Sequence, residues 1–146
     1  MYVQYAAIQR NSGDFMSKLL VIEDDHETAK LLESIFVYEK YSVICAGPAA
    51  EGFQSCLSEL PDLVLMGIRL PDGSGIDLCR MMKGTPQIKH IPVILLTTDS
   101  TTAEDRMRGL EADAEGYMSK PFVNEELIAR VAGVLKRSPG QTGAMP

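Results

Sequence analysis

Lys18-Leu19-Leu20-Val21-Ile22-Glu23-Asp24-Asp25, residues 18–25, is the stretch that decides the fold: four consecutive aliphatic residues running straight into three carboxylates. An apolar run this short, partly β-branched and without polar alternation, fits a strand buried on both faces, which needs helices on each side. Ser42-Val43-Ile44-Cys45-Ala46, Leu63-Val64-Leu65-Met66 and Val93-Ile94-Leu95-Leu96 have the same character, and Gly116-Tyr117-Met118-Ser119 reads as a short fifth strand. Between the runs, apolar residues recur at helical spacing. The groups are Leu31, Leu32, Ile35 and Phe36; Ala49, Phe53, Cys56, Leu57 and Leu60; Ile76, Cys79 and Met82; Met107, Leu110 and Ala114; and Leu127, Ile128, Val131, Val134 and Leu135. Five strands alternating with five helices predict an α/β fold, a doubly wound parallel sheet with right-handed crossovers.

The 146 residues, 45% hydrophobic and 23% charged, have the composition of one ordinary domain with one core. A formal charge of −6 with no basic stripe offers no footprint for phosphate backbone or anionic lipid, so neither nucleic acid nor membrane is an expected partner. No apolar run is long enough to cross a bilayer and no signal peptide stands at the N-terminus, which makes the cytoplasm the expected compartment. Cys45, Cys56 and Cys79 lie far apart without a C-x-x-C pair and read as small buried side chains. Residues 1–15 lack a clean period and end in the turn-like Asn11-Ser12-Gly13-Asp14; with Met16 and Ser17 they are read as an N-terminal extension, whether an upstream start, a cloning remnant or a packing arm. The working domain then spans 18–137, and the breaker-rich residues 138–146 form a loose tail.

In such sheets the working site lies beyond the carboxyl ends of the strands. Glu23, Asp24 and Asp25 follow the first strand; Gly67-Ile68-Arg69-Leu70-Pro71-Asp72-Gly73-Ser74-Gly75 follows the third; Thr97, Thr98 and Asp99 follow the fourth; Ser119, Lys120, Pro121 and Phe122 follow the fifth. Each has a plain structural reading. Asp24 or Asp25 could cap the next helix, with Glu27 at capping-box spacing from Asp24. The glycine-rich stretch could be a mere loop, a threonine could cap a helix, Lys120 could be solvated, and Pro121 could open the last helix. Taken together, an acidic pair, a Gly/Pro loop, a hydroxyl and a lysine converge on one crevice suited to phosphoryl groups and Mg²⁺.

KLLVIEDD, PDLVLMGIRLPDGSG, IPVILLTT and EGYMSKPF, in that order and spacing, resemble the response-regulator receiver domain of two-component signalling over nearly all of residues 18–137. The resemblance implies a flavodoxin-like sheet of order 2-1-3-4-5. It implies Glu23 and Asp24 as the acidic metal pair, with Asp25 the lesser member, and Arg69 as a backbone-carbonyl metal ligand. Thr97 resembles the switch hydroxyl, with Thr98 beside it where receivers carry a smaller residue; Tyr117 resembles the switch aromatic, Lys120 the phosphate-contacting lysine, and Lys120-Pro121 the family's cis bond. The order of Asp113 and Gly116 departs from the family's usual turn before the fifth strand.

At Gly67 the family carries the aspartate that accepts the phosphoryl group. Glycine has no nucleophile, and Met66 and Ile68 offer no substitute oxygen. Asp62 sits at the wrong end of the strand, roughly 13 Å away, and Asp72 lies beyond Pro71 in the loop. No catalytic residue is therefore assigned, Mg²⁺ binding is expected to be weak or lost, and Lys120 is expected to bridge directly to Glu23 and Asp24.

The expected function is a phosphorelay signalling receiver that works without phosphorylation, docking a histidine kinase or other signalling protein through Arg106, Met107 and Tyr117 on the face of the fourth helix, fifth strand and fifth helix. The alternative is a silenced natural or engineered form of a phosphoaccepting receiver with Asp at 67. A hydrolytic enzyme is disfavoured: there is no D-x-D pair after a strand, no Cys-x5-Arg loop and no phosphate-binding P-loop, and His26 and His90 read as surface residues. A complete chain would act like chemotaxis-type single-domain receivers; a piece of a longer one would have its effector beyond Pro146.

Overall fold

The computed structural model describes residues 17–97 and 103–137, apart from the side chains of Asp105 and Arg106. Five parallel strands, β1 (Lys18–Ile22), β2 (Ser42–Ala46), β3 (Leu63–Gly67), β4 (Val93–Thr97) and β5 (Gly116–Ser119), form one sheet in the order β2-β1-β3-β4-β5. Five helices lie between and after them: α1 (His26–Tyr38), α2 (Ala49–Glu59), α3 (Gly75–Lys83), α4 (Ala103–Glu111) and α5 (Asn124–Arg137). This is the doubly wound arrangement expected from the apolar runs. A two-residue ribbon not foreseen from sequence pairs Arg69–Leu70 with Gly73–Ser74 just after β3.

Strand alternation sorts the core into two layers. Leu19, Val21, Val43, Leu63, Leu65, Ile94 and Leu96 pack with Leu32 and Phe36 of α1 and Leu127, Val131 and Val134 of α5. Leu20, Ile22, Ile44, Val64, Met66 and Leu95 pack on the other side with Cys56 of α2 and Ile76, Cys79 and Met82 of α3. Each fully buried aliphatic side chain contributes roughly 1.5–3 kcal/mol, which explains why both strand faces are apolar. All three cysteines are buried. Burial pushes the Cys45 thiol up to about 12 and those of Cys56 and Cys79 to about 11.

Several expected helical stripes need correction. Leu31 is exposed on α1; Leu60 is not in α2 but follows it as a left-handed C-cap, φ 47°, ahead of Pro61. On α4 Leu110, from the apolar stripe, faces solvent at 63% exposed, as does Met107 at 57%, the latter also expected on the partner face, and Ala114 lies beyond the helix. Gly109, and Ala112 just past the helix, are buried instead, because the Tyr117 ring fills the space over Gly109: a Cβ there would stand 2.6 Å from Tyr117 Cε2. Pro121 does not open α5, which begins three residues later. Ser17, grouped with the extension on sequence, is buried, and its carbonyl accepts the Ser42 amide at 2.9 Å.

Candidate functional site

The carboxyl ends of β1, β3, β4 and β5 open on a cleft of about 190 Å³ lined by Glu23, Asp24, Asp25, Gly67, Ile68, Arg69, Leu96, Thr97 and Lys120. Thr98 lies outside the described residues. The cleft thus gathers the acidic pair, the glycine, the hydroxyl and the lysine; Tyr117 stands behind it, with its ring packed toward α4.

The three carboxylates after β1 have separate surroundings. Asp25 is the N-cap of α1: its Oδ2 accepts the Thr28 hydroxyl at 2.6 Å and the Thr28 amide at 3.0 Å. Those two bonds, the hydroxyl first, hold its carboxyl below the usual aspartate value. Capping therefore falls to Asp25. Asp24 is exposed on the cleft rim. Glu23 is 4% exposed, and its Oε2 accepts the Asp25 amide at 3.0 Å. Its Oε1 pairs with Lys120 Nζ at 3.1 Å.

That carboxylate lies directly over Gly67. A Cβ on residue 67 would stand 2.8 Å from Glu23 Oε1, so that the carboxylate end must shift, while the 3.4 Å to its Cδ is ordinary contact. Glu23 has entered the volume that a side chain on 67 would claim. Lys120 is held in place from behind, since its amide donates to the Thr97 carbonyl at 2.7 Å; the Lys120–Pro121 bond is cis. The Thr97 hydroxyl, 2% exposed, donates to the Met118 carbonyl at 3.4 Å.

The donor set for a divalent cation is short. Among the described residues no group of three or more His, Cys, Asp or Glu side chains is placed to hold a metal ion. Glu23, one of the expected oxygen donors, is paired with Lys120; Asp24 and Arg69 line the same cleft.

Asp72 has a structural role that sequence reasoning missed. Its two oxygens accept the Ala49 and Ala50 amides at 2.6 and 3.0 Å, capping α2, whose own N-cap, Pro48, makes no side-chain cap bond. The bond from Ala50, then that from Ala49, holds this carboxyl below its usual value. The turn signal Pro71-Asp72-Gly73 marks the ribbon that carries it there. Asp62 accepts the Lys18 amide at 2.8 Å at the opposite end of the sheet. Gly75 was also missed: its amide donates to the Ile68 carbonyl at 2.7 Å, and a Cβ there would run into the Gly67 backbone. His26 and His90 are exposed.

The family model of the response regulator receiver domain matches residues 19–132. The chain belongs to this family. The Staphylococcus aureus (strain Mu50) response regulator ArlR is 34% identical over 124 residues, 85% of this chain and 55% of that protein; the chain spans about half the length of the curated relatives it matches. A putative response regulator from Chloroflexus aurantiacus superposes with TM-score 0.79 at 32% identity, covering 83% of this chain and 98% of that one. The beryllofluoride-activated N-terminal receiver domain of Klebsiella pneumoniae RstA superposes with TM-score 0.72 at 30% identity, covering 79% and 95%. This chain is therefore a two-component receiver domain whose cleft lies where the expected site residues converge.

On the expected partner face, Met107 is exposed and Tyr117 is half-buried, its ring directed inward; the side chain of Arg106 lies outside the described residues. Leu110 and Val123, neither of them among the expected contacts, are also exposed, at 63% and 58%. Among the described residues no helix is long and apolar enough to cross a membrane.

Proposed function

We propose that this receiver takes part in two-component signalling as a phosphorylation-independent docking module, with Gly67 at the position of the phosphoacceptor. The observation that carries this reading is the tip of β3: residue 67 lines the cleft, brings no side chain, and has the Glu23 carboxylate lying over it, already paired with Lys120. Without the roughly −1.5 to −2 charges of a phosphate, Thr97 and Tyr117 lack the ligand that would shift the population between two states. One conformer dominates, with Thr97 bonded to Met118 and Tyr117 packed over Gly109. Mg²⁺ binds weakly because it competes with an internal ammonium. The module is no enzyme; it works in the cytoplasm and docks a histidine kinase or another signalling protein through Met107, Arg106 and the edge of Tyr117.

A second reading, a silenced form of a phosphoaccepting receiver with Asp at 67, is favoured by one observation: Thr97 and Lys120 line the cleft together with Glu23 and Asp24. The test is Gly67→Asp beside the unmodified chain, each incubated with acetyl phosphate, or with beryllofluoride, and Mg²⁺. An unlabelled native chain together with an unlabelled variant supports the dedicated module. A variant that takes up phosphate supports the silenced form, and an acid-labile label on the native chain overturns both.

A further inference from the structure

Glycine at 67 leaves room as well as removing a nucleophile. The 2.8 Å approach of Glu23 Oε1 to a Cβ on residue 67 is too close for any residue but glycine to stand there with Glu23 where it is. From that place, just past β1, Glu23 ties that strand's end to the start of α1 through the Asp25 amide at 3.0 Å, and to the segment after β5 through Lys120 at 3.1 Å. The carboxylate is nearly sealed from water, whereas the lysine side chain keeps 21% of its surface exposed.

We infer that Gly67 is the seat of a Glu23–Lys120 latch, in which the carboxylate from β1 takes over the space and the counter-charge that a side chain on β3 would supply. It rests on the reading above that residue 67 takes no phosphoryl group. Positions 67, 23 and 120 then act as one unit. Any Cβ at 67, even one that is chemically inert, displaces Glu23 and loosens Lys120 and the Gly116–Phe122 segment that leads toward α5. A silent vacancy left by a lost aspartate would instead tolerate alanine without effect.

A double-mutant cycle on the full chain tests this: Gly67→Ala, Glu23→Ala and the pair. Gly67→Ala alone is expected to lower Tm by about 2–5 °C, from overpacking softened by the flexible glutamate. In the Glu23→Ala background the same Cβ loses its close contacts, with no other non-neighbouring atom within 3.7 Å, and the usual gain of alanine over glycine in a strand raises Tm by about 2–4 °C. As a second readout, the acetylation rate of Lys120, followed by peptide mass spectrometry, is expected to rise at least threefold in Gly67→Ala and in Glu23→Ala. Equal Tm changes in both backgrounds, or a Lys120 rate unmoved by Gly67→Ala, would overturn the latch. Phosphoryl labelling of the native chain would instead sink the phosphorylation-independent reading, whatever the cycle gives, so the two failures are distinguishable.

Discussion

Lys120→Met removes the ammonium from the site and keeps most of its apolar stem. At 3.1 Å and an effective dielectric near 20, the gross attraction between the charges is about 5 kcal/mol. Desolvation offsets much of it. The net loss is bracketed by two kinds of pair: exposed ion pairs contribute about 0–1 kcal/mol, and stripping one partner from a fully buried pair costs about 3–5 kcal/mol. Here the carboxylate side chain is 5% exposed and the ammonium side 21%, which puts the expected cost at about 1.5–3 kcal/mol. Glu23 retains the Asp25 amide, so the upper limit is not reached. For a domain of about 120 residues, roughly 4 °C of Tm corresponds to 1 kcal/mol, and the variant should melt about 6–12 °C lower. The assay is urea and thermal unfolding followed by far-UV circular dichroism. The double variant Glu23→Gln/Lys120→Met serves as control: without the buried charge it should recover at least half of the loss. A Lys120→Met chain within about 2 °C of native, or a double variant no more stable than the single, would refute the assignment of Glu23 and Lys120 as a coupled pair.

Gly75→Ala should cost about 2–4 kcal/mol, because its Cβ meets the Gly67 backbone and the bond to the Ile68 carbonyl must open; a melt within 2–3 °C of native, equivalent to under about 1 kcal/mol, would contradict the close approach. Asp72→Ala should lower Tm at neutral pH by uncapping α2. Since the folded-state carboxyl of Asp72 is held below 3.8, its contribution is present above the unfolded value and is lost as pH falls through the folded one. The gap between native and variant should therefore hold steady from about pH 7 to 5 and close below about pH 4, which melts across that range will read. The three thiols, buried and raised to about 11–12, should resist a disulfide reagent at about pH 8 and all react in guanidinium; rapid labelling of any one in the native chain would show that the core around it opens.

The sheet was legible because burial on both faces forces a strand to be apolar at every position, and Leu19–Ile22, Val43–Ala46, Leu63–Met66 and Val93–Leu96 obey that without exception. Helix α4 was misread for the complementary reason. Periodicity finds a core-facing helix by its large apolar residues, but the buried residues described at the end of α4 are the small Gly109 and, just past the helix, Ala112, because Tyr117 supplies the bulk from β5. Met107 and Leu110 then carry the apolar signal on the outer side. The cap from Asp72 was invisible to local rules of a different kind, since capping motifs look one turn ahead and this carboxylate arrives from 23 residues away. Its one sequence trace is Pro48, which offers α2 no side-chain acceptor of its own.

At the site, sequence reasoning expected Lys120 to bridge to both Glu23 and Asp24; the structure pairs it with Glu23, while Asp24 stays exposed at the rim. Competition among the three decides the matter. Asp25 is claimed by Thr28, Asp24 points into water, and Glu23, one methylene longer than an aspartate and buried at the strand end, reaches across to the lysine. That reach needs an empty place beyond β3. Read as a string, Gly67 is a position without a side chain; in three dimensions it is also the volume that a neighbouring carboxylate fills. Placing an aspartate at 67 therefore adds a carboxylate and crowds the one already there. Whether Gly67→Asp takes up phosphate depends as much on where Glu23 goes as on the new oxygen atoms.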